Sequence, residues 1–116
     1  MEKIKKLSVV IPARDEEGCI ASTVKHLQLA LSIKKIPHEI VVVDDGSTDR
    51  TSDILEECAK TGEALRPVKN PAPHGFGRAI VRGLDMMTGD AVVVMMADES
   101  DDCRDVVRYW DKLNEG

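Results

Sequence analysis

Three short, unbroken apolar runs and a weaker one broken by charged residues alternate along the chain with four stretches of helical periodicity. "LSVVI" (7–11) reads as a strand closed by Pro12. Ile20, Val24, Leu27 and Leu31 then recur at helical spacing, which predicts an amphipathic helix over 15–35, stopped by Pro37. "EIVVV" (39–43) is the second strand. Its helix is expected to start near Ser47 or Thr48, whose hydroxyls can cap open N–H groups, and to bury Ile54, Leu55 and Cys58. "LRPVKN" (65–70) is a third strand, placed on a sheet edge because Pro67 cannot donate to a ladder. "HGFGRAIVRGLDMMTGD" sets Phe76, Ile80, Gly83, Leu84 and Met87 on one helical face, with Gly89 as the expected C-terminal cap. "AVVVMMA" (91–97) is the fourth strand, and Asp101 or Asp102 caps a last helix carrying Val106, Trp110 and Leu113.

Runs that are apolar throughout, rather than alternating, mark parallel strands covered on both faces. The expected fold is therefore a single α/β domain over 1–116, an open parallel sheet with helices on both faces and strand order 3-2-1-4. In such sheets ligands sit beyond the carboxyl ends of the strands. Those ends carry "PARDEE", "DDGSTD", "NPAPHGFG" and "ADESDD". The fourth strand lies at the other edge, flat and uncharged until Asp98, so self-association through residues 91–97 is expected.

Composition narrows the functional classes. A net charge of -5 and an aromatic content of 3% argue against a nucleic-acid partner, which would want basic patches and stacking platforms. Cys19, Cys58 and Cys103 are an odd number without ligand spacing, which argues against a zinc or disulfide framework and for a reducing, cytoplasmic setting. No apolar run approaches the roughly 18 to 20 residues of a membrane span.

The strand-end motifs each have a plain reading beside a chemical one. In "DDGSTD" the glycine, hydroxyls and last aspartate suit a turn and a helix cap, but capping explains only one of Asp44 and Asp45. A carboxylate there suits a ribose diol or a base N–H, because an ionised Asp only accepts hydrogen bonds. Asp15, Glu16 and Glu17 either favour a first helical turn or line a pocket, while Arg14 can stack on a base or pair with phosphate. The two glycines of "HGFG" allow close backbone approach to an anion, and His74 reads as a loop residue. Asp98, nearest the fourth strand, belongs to a carboxylate cluster suited to Mg²⁺ or Mn²⁺.

Taken in order, "SVVIPARDEE", "EIVVVDDGSTDRT", "GFGRAIVRGL" and "GDAVVVMMADESDD" resemble a family 2 glycosyltransferase of the GT-A fold, in its dolichyl-phosphate mannose synthase-like branch. The resemblance covers nearly the whole chain. It implies a nucleotide pocket lined by Pro12, Ala13, Arg14 and Glu16, contacts from Asp44 and Asp45 to base and ribose, and a border at Gly75. The family's metal-holding D-x-D falls on Met96-Ala97-Asp98, so its first aspartate is replaced and Asp98 is left as the metal ligand, helped by Ser100, Asp101 or Asp102. It further implies an inverting transfer of sugar from a UDP or GDP donor, with Mn²⁺ or Mg²⁺, to a polyprenyl phosphate or polysaccharide, and a place at the membrane surface for the full-length protein. The acceptor site and catalytic base are expected beyond Gly116, so this chain alone is expected to hold a donor without transferring it. A receiver-like phospho-acceptor domain and a non-catalytic nucleotide-binding module are the alternatives. Against the receiver, the acidic pair follows the second strand rather than the first, and no fifth strand carries a lysine.

Overall fold

The computed structural model describes residues 5–61, 64–98 and 103–115. Its elements run β1 (Leu7–Ala13), α1 (Ile20–Ile33), β2 (His38–Asp44), α2 (Thr51–Thr61), β3 (Leu65–Lys69), α3 (Phe76–Met86), β4 (Ala91–Val94) and α4 (Cys103–Glu115). The sheet is parallel throughout, in the order β3-β2-β1-β4. This is the order expected from the apolar runs.

Strand alternation splits the core in two. Leu7, Val9, Ile11, Ile40 and Val42 pack beneath α1, α2 and α4, against Ile20, Val24, Leu27, Leu31, Leu55 and Val106. Val10, Val41 and Val43 face the other way, toward α3. That helix seats on its small residues: Ala79 and Gly83 are buried, whereas Phe76 and Leu84 of the expected core face are 55% and 41% exposed. A Cβ on Gly83 would fall 2.4 Å from Cγ1 of Val10, so the helix lies closer to the sheet than larger residues would permit.

Two prolines shape the sheet. β1 runs through Pro12 to Ala13 rather than ending before it, with Ala13 level with Asp44 of β2. Its pairing with β4 stops at Val10 opposite Val94, after which the Met95 N–H donates to the Val10 carbonyl (3.0 Å). Pro12 has no N–H for the next rung on that side. β4 is accordingly four residues long, not the seven expected from "AVVVMMA", and residues 95–97 leave the sheet at its carboxyl end. Pro67 lies in the edge strand β3, as its missing donor requires.

Helix starts also differ from the sequence pattern. α1 begins at Ile20 rather than residue 15, because Asp15 takes a positive φ of 53° that breaks helical geometry. No acidic residue occupies its first turn. α2 begins at Thr51, with the Asp49 carboxylate accepting from the Thr51 N–H (2.9 Å), a task expected of Ser47 or Thr48. The expected caps Asp101 and Asp102 lie outside the described residues.

At the amino end of the sheet Glu39, 3% exposed, anchors the turn between α3 and β4. It accepts from the Ser8 hydroxyl (2.6 Å), the Arg66 guanidinium (2.7 Å) and the Thr88 N–H. Arg66 also donates to the Met86 carbonyl, and the Gly89 N–H donates to Ser8 Oγ (2.9 Å). α3 ends at Met86, so Gly89 is not its cap; a Cβ there would lie 2.4 Å from Ser8 Oγ. Burial opposes the charge on Glu39, but the donors from Ser8, Thr88 and Arg66 outweigh it and hold the carboxyl at about 2 instead of 4.5. A folded pKa below the unfolded one adds stability that is present above pH 4.5 and lost as pH falls toward about 2. Glu39→Gln should therefore lower urea stability at pH 7 by on the order of 3 kcal/mol, with the gap to the parent chain closing as pH falls through that window.

Candidate functional site

Because β1 and β2 end level, the loops that follow them emerge side by side and are stitched together. Asp15 is central to the seam: its N–H donates to Ser47 Oγ (2.9 Å) and its carboxylate accepts from the Thr48 N–H (2.7 Å). The Glu16 N–H donates to Thr51 Oγ1 (2.9 Å), the Glu17 N–H to Asp49 (3.2 Å), and Glu17 accepts from the Arg50 N–H (3.3 Å). The acidic residues of "PARDEE" thus bind the neighbouring loop rather than a first helical turn.

Asp44 and Asp45 part company. Asp44 accepts from the Ser47 N–H (3.0 Å) and faces a hollow shared with Gly46, Ser52 and Lys69 on the β3 side. Asp45, 5% exposed, points toward the loop between β3 and α3. Its Oδ1 accepts from Asn70 Nδ2 (2.8 Å) and from His74 Nδ1 (3.1 Å), and its Oδ2 from the Gly75 N–H (2.9 Å). Since an ionised carboxylate only accepts, His74 carries its proton on Nδ1. Burial raises the Asp45 pKa, yet the donors from Asn70, Gly75 and His74 prevail and hold it below the ordinary carboxylate range. Gly46 makes the arrangement possible. Its φ is +79°, and a Cβ on it would lie 2.6 Å from His74 Nε2.

These contacts open a cleft of about 230 Å³ at the carboxyl ends of β1 and β4. Six sequence-predicted residues meet there: Pro12, Ala13, Arg14, Glu16, Asp45 and Gly75. Phe76, Met96 and Ala97 complete the wall. Asp44 is not part of this wall, and the exposed Asp98 stands one residue beyond Ala97, whose carbonyl accepts from Thr23 Oγ1 (3.0 Å). Phe76 was expected in the core. The close seating of α3 turns it outward instead, a consequence of packing that helical periodicity does not carry. Asn70 and His74 are the other residues whose contacts with Asp45 sequence reasoning missed; for Asn70 the signal was a polar side chain directly after an edge strand.

The cleft combines a guanidinium at Arg14, carboxylates at Glu16 and Asp45, apolar plates at Phe76 and Met96, and small residues that admit a backbone-close ligand. Asp45 Oδ1 already takes two donors, but Oδ2 takes one and retains a lone pair for a ligand N–H or O–H. Among the described residues no three metal-ligating side chains are gathered together. Asp98 supplies a hard carboxylate oxygen of the type Mg²⁺ and Mn²⁺ accept, while Glu99, Ser100, Asp101 and Asp102 lie outside the described residues.

Residues 8–115 match the family described as Glycosyl transferase family 2. The chain belongs to that family. An undecaprenyl-phosphate 4-deoxy-4-formamido-L-arabinose transferase of Yersinia enterocolitica is 30% identical over 116 residues, 99% of this chain and 36% of that protein. Among solved structures, the mannosyltransferase PcManGT of Pyrobaculum calidifontis, in complex with GDP-Man and Mn²⁺, superposes with a TM-score of 0.71 at 27% identity, over 84% of this chain and 28% of that one. A Mycobacterium tuberculosis glucosyl-3-phosphoglycerate synthase with Mn²⁺, UDP and glucosyl-3-phosphoglycerate gives 0.65 at 29% identity, over 80% and 33%. The chain thus spans about a third of the length of these relatives. Family membership leaves the receiver-like alternative without support.

Within this family 2 domain the Asp45 clamp fixes the wall of the cleft. Asp45→Ala would strand its three donors and should cost on the order of 3 kcal/mol in denaturant unfolding. Hydrogen exchange should show the Gly75 amide losing protection, while amides of α1 keep theirs.

Proposed function

We propose that the cleft holds the nucleotide of a sugar donor, and that the domain is the donor-binding part of an inverting glycosyltransferase. The observation that carries this reading is the convergence of Pro12, Ala13, Arg14, Glu16, Asp45 and Gly75 on one cleft at the strand ends. It is supported by structural relatives that hold GDP-Man or UDP with Mn²⁺. Asp45 Oδ2 accepts from the base or ribose, Arg14 lies against the base or a phosphate, and Phe76 offers a flat apolar surface. Asp44, turned to the adjoining hollow, reaches the ribose from the other side of the Ser47 turn. Asp98 is the residue that would hold a divalent ion, which when bound neutralises charge on the departing diphosphate. An acceptor oxygen then displaces that leaving group at the anomeric carbon with inversion. The names of the curated relatives favour a polyprenyl phosphate as acceptor, and with it a cytoplasmic enzyme working at a membrane surface.

Calorimetry with GDP-mannose and UDP-glucose tests the donor site. Binding should strengthen with Mn²⁺ over EDTA, and nucleotide at 100 times Kd should add about 2.7 kcal/mol of stability. Equal affinity in EDTA and Mn²⁺ would remove the metal role, and Asp98→Asn retaining full metal dependence would place the ion elsewhere.

We also propose that the chain self-associates through β4, which with β3 forms the edges of the sheet in the described residues. The Met95 N–H points to β1, so strand alternation sends the backbone groups of Val92 and Val94 outward. Val94 is 40% exposed on that edge, whereas Val93 packs into the core. Sedimentation at micromolar concentration should show a dimer or larger species that Val94→Lys weakens; a monomer throughout would refute the contact.

A further inference from the structure

Across α3 from the donor cleft lies a larger cavity of about 450 Å³, walled by the Asn70–Pro73 loop on one side and the helix on the other. Arg78 and Arg82 project from one flank of that helix, a single turn apart, and both line the cavity. Two like charges at this spacing repel each other and weaken a helix unless an anion meets them. Arg82 is held in place by its Nε, which donates to the Lys69 carbonyl (3.3 Å) and leaves both terminal amino groups open to another acceptor. Arg78 is exposed and bonds to no described residue. Asp85, the only carboxylate of the lining, forms an ion pair with neither arginine. Pro71, Pro73 and Val81 give the remaining wall an apolar character. In a chain of net charge -5, a cavity dominated by two guanidiniums is a local reversal of sign.

We propose that this cavity binds a phosphate ester carried on an apolar body, with Arg78 and Arg82 clasping the phosphate and the proline-valine wall taking the body. Guanidinium forks match phosphate oxygens two at a time, which a lysine pair would not. The site is distinct from the donor cleft, although the same loop, pinned by Asp45 through Asn70, forms its wall. A soluble phosphate ester and a phospholipid headgroup share this chemistry.

Phenyl phosphate is a suitable probe, titrated into the ¹⁵N-labelled chain at low salt, with phenol as the phosphate-free control. Amides of Gly77, Arg78, Val81 and Arg82 should shift saturably, while those of Ala13, Glu16 and Ala97 in the donor cleft stay in place. Arg78→Gln with Arg82→Gln should weaken binding about tenfold or more. The single exposed change Arg78→Gln should weaken it without altering the melting temperature. Shifts that do not saturate, that persist in the double variant, or that phenol reproduces would overturn the proposal. Sedimentation with phosphatidylglycerol vesicles, but not with phosphatidylcholine, by the parent chain and not the double variant would assign the headgroup as source. Phenyl phosphate binding without vesicle sedimentation would assign a soluble ester. Failure here leaves the donor cleft untouched, because its calorimetry uses different residues and a different ligand.

Discussion

A buried carboxylate at the end of β2 sets the geometry of everything above the sheet. Asp45 is almost wholly withdrawn from water, and a charge so placed is costly unless donors surround it. Asn70, His74 and Gly75 are those donors, and they come from the loop that must be fixed if the cleft is to have a wall. Remove the charge and the three donors lose their common partner. The same strand carries a second buried carboxylate at its other end, Glu39, also met by three donors from elsewhere in the chain. The apolar run between them builds the sheet, and each carboxylate orders the connections at its own end.

The two faces of the sheet are covered unequally, and this bears on function. Among the described residues, three helices pack on one face and α3 on the other. Seating α3 on Ala79 and Gly83 brings its start close to the ends of β1 and β4. Phe76 is thereby lost to the core and gained by the cleft, whose wall it shares with Met96. The opposite flank of the same helix presents Arg78 and Arg82 to a second cavity. One helix therefore borders two cavities, offering Phe76 to one and Arg78 and Arg82 to the other.

Met96 occupies the position where the resemblance would place the first aspartate of D-x-D. The structure gives it a place among the apolar lining of the cleft. Its strand ends early because Pro12 cannot continue the ladder; Met95 stays in the core, and Met96 and Ala97 reach the wall of the cleft. Asp98 then emerges exposed just past the wall. Met96 thus contributes surface rather than charge to that wall.

The alternation of apolar runs and helical spacings, with Pro67, was enough to determine the parallel sheet and its order. Parallel pairing demands strands buried on both faces, and that burial is written directly into composition. Pro67 marked an edge for an equally local reason, its missing donor. Six of the predicted site residues, from Pro12 to Gly75, do share one cleft, because topology alone brings those strand ends together. What tertiary structure decided depends on contacts between residues far apart in sequence. Asp15 staples a loop through Ser47 and Thr48 instead of starting a helix, and Asp49 rather than Ser47 caps α2. Asp44 and Asp45 are identical neighbours that face different hollows, a separation made by strand alternation and by where Asn70 happens to lie. Phe76 and Leu84 match a core pattern by spacing, yet small residues beside them let the helix settle on a different face. Periodicity records which residues lie on a common side of an element; only packing chooses the side that is buried.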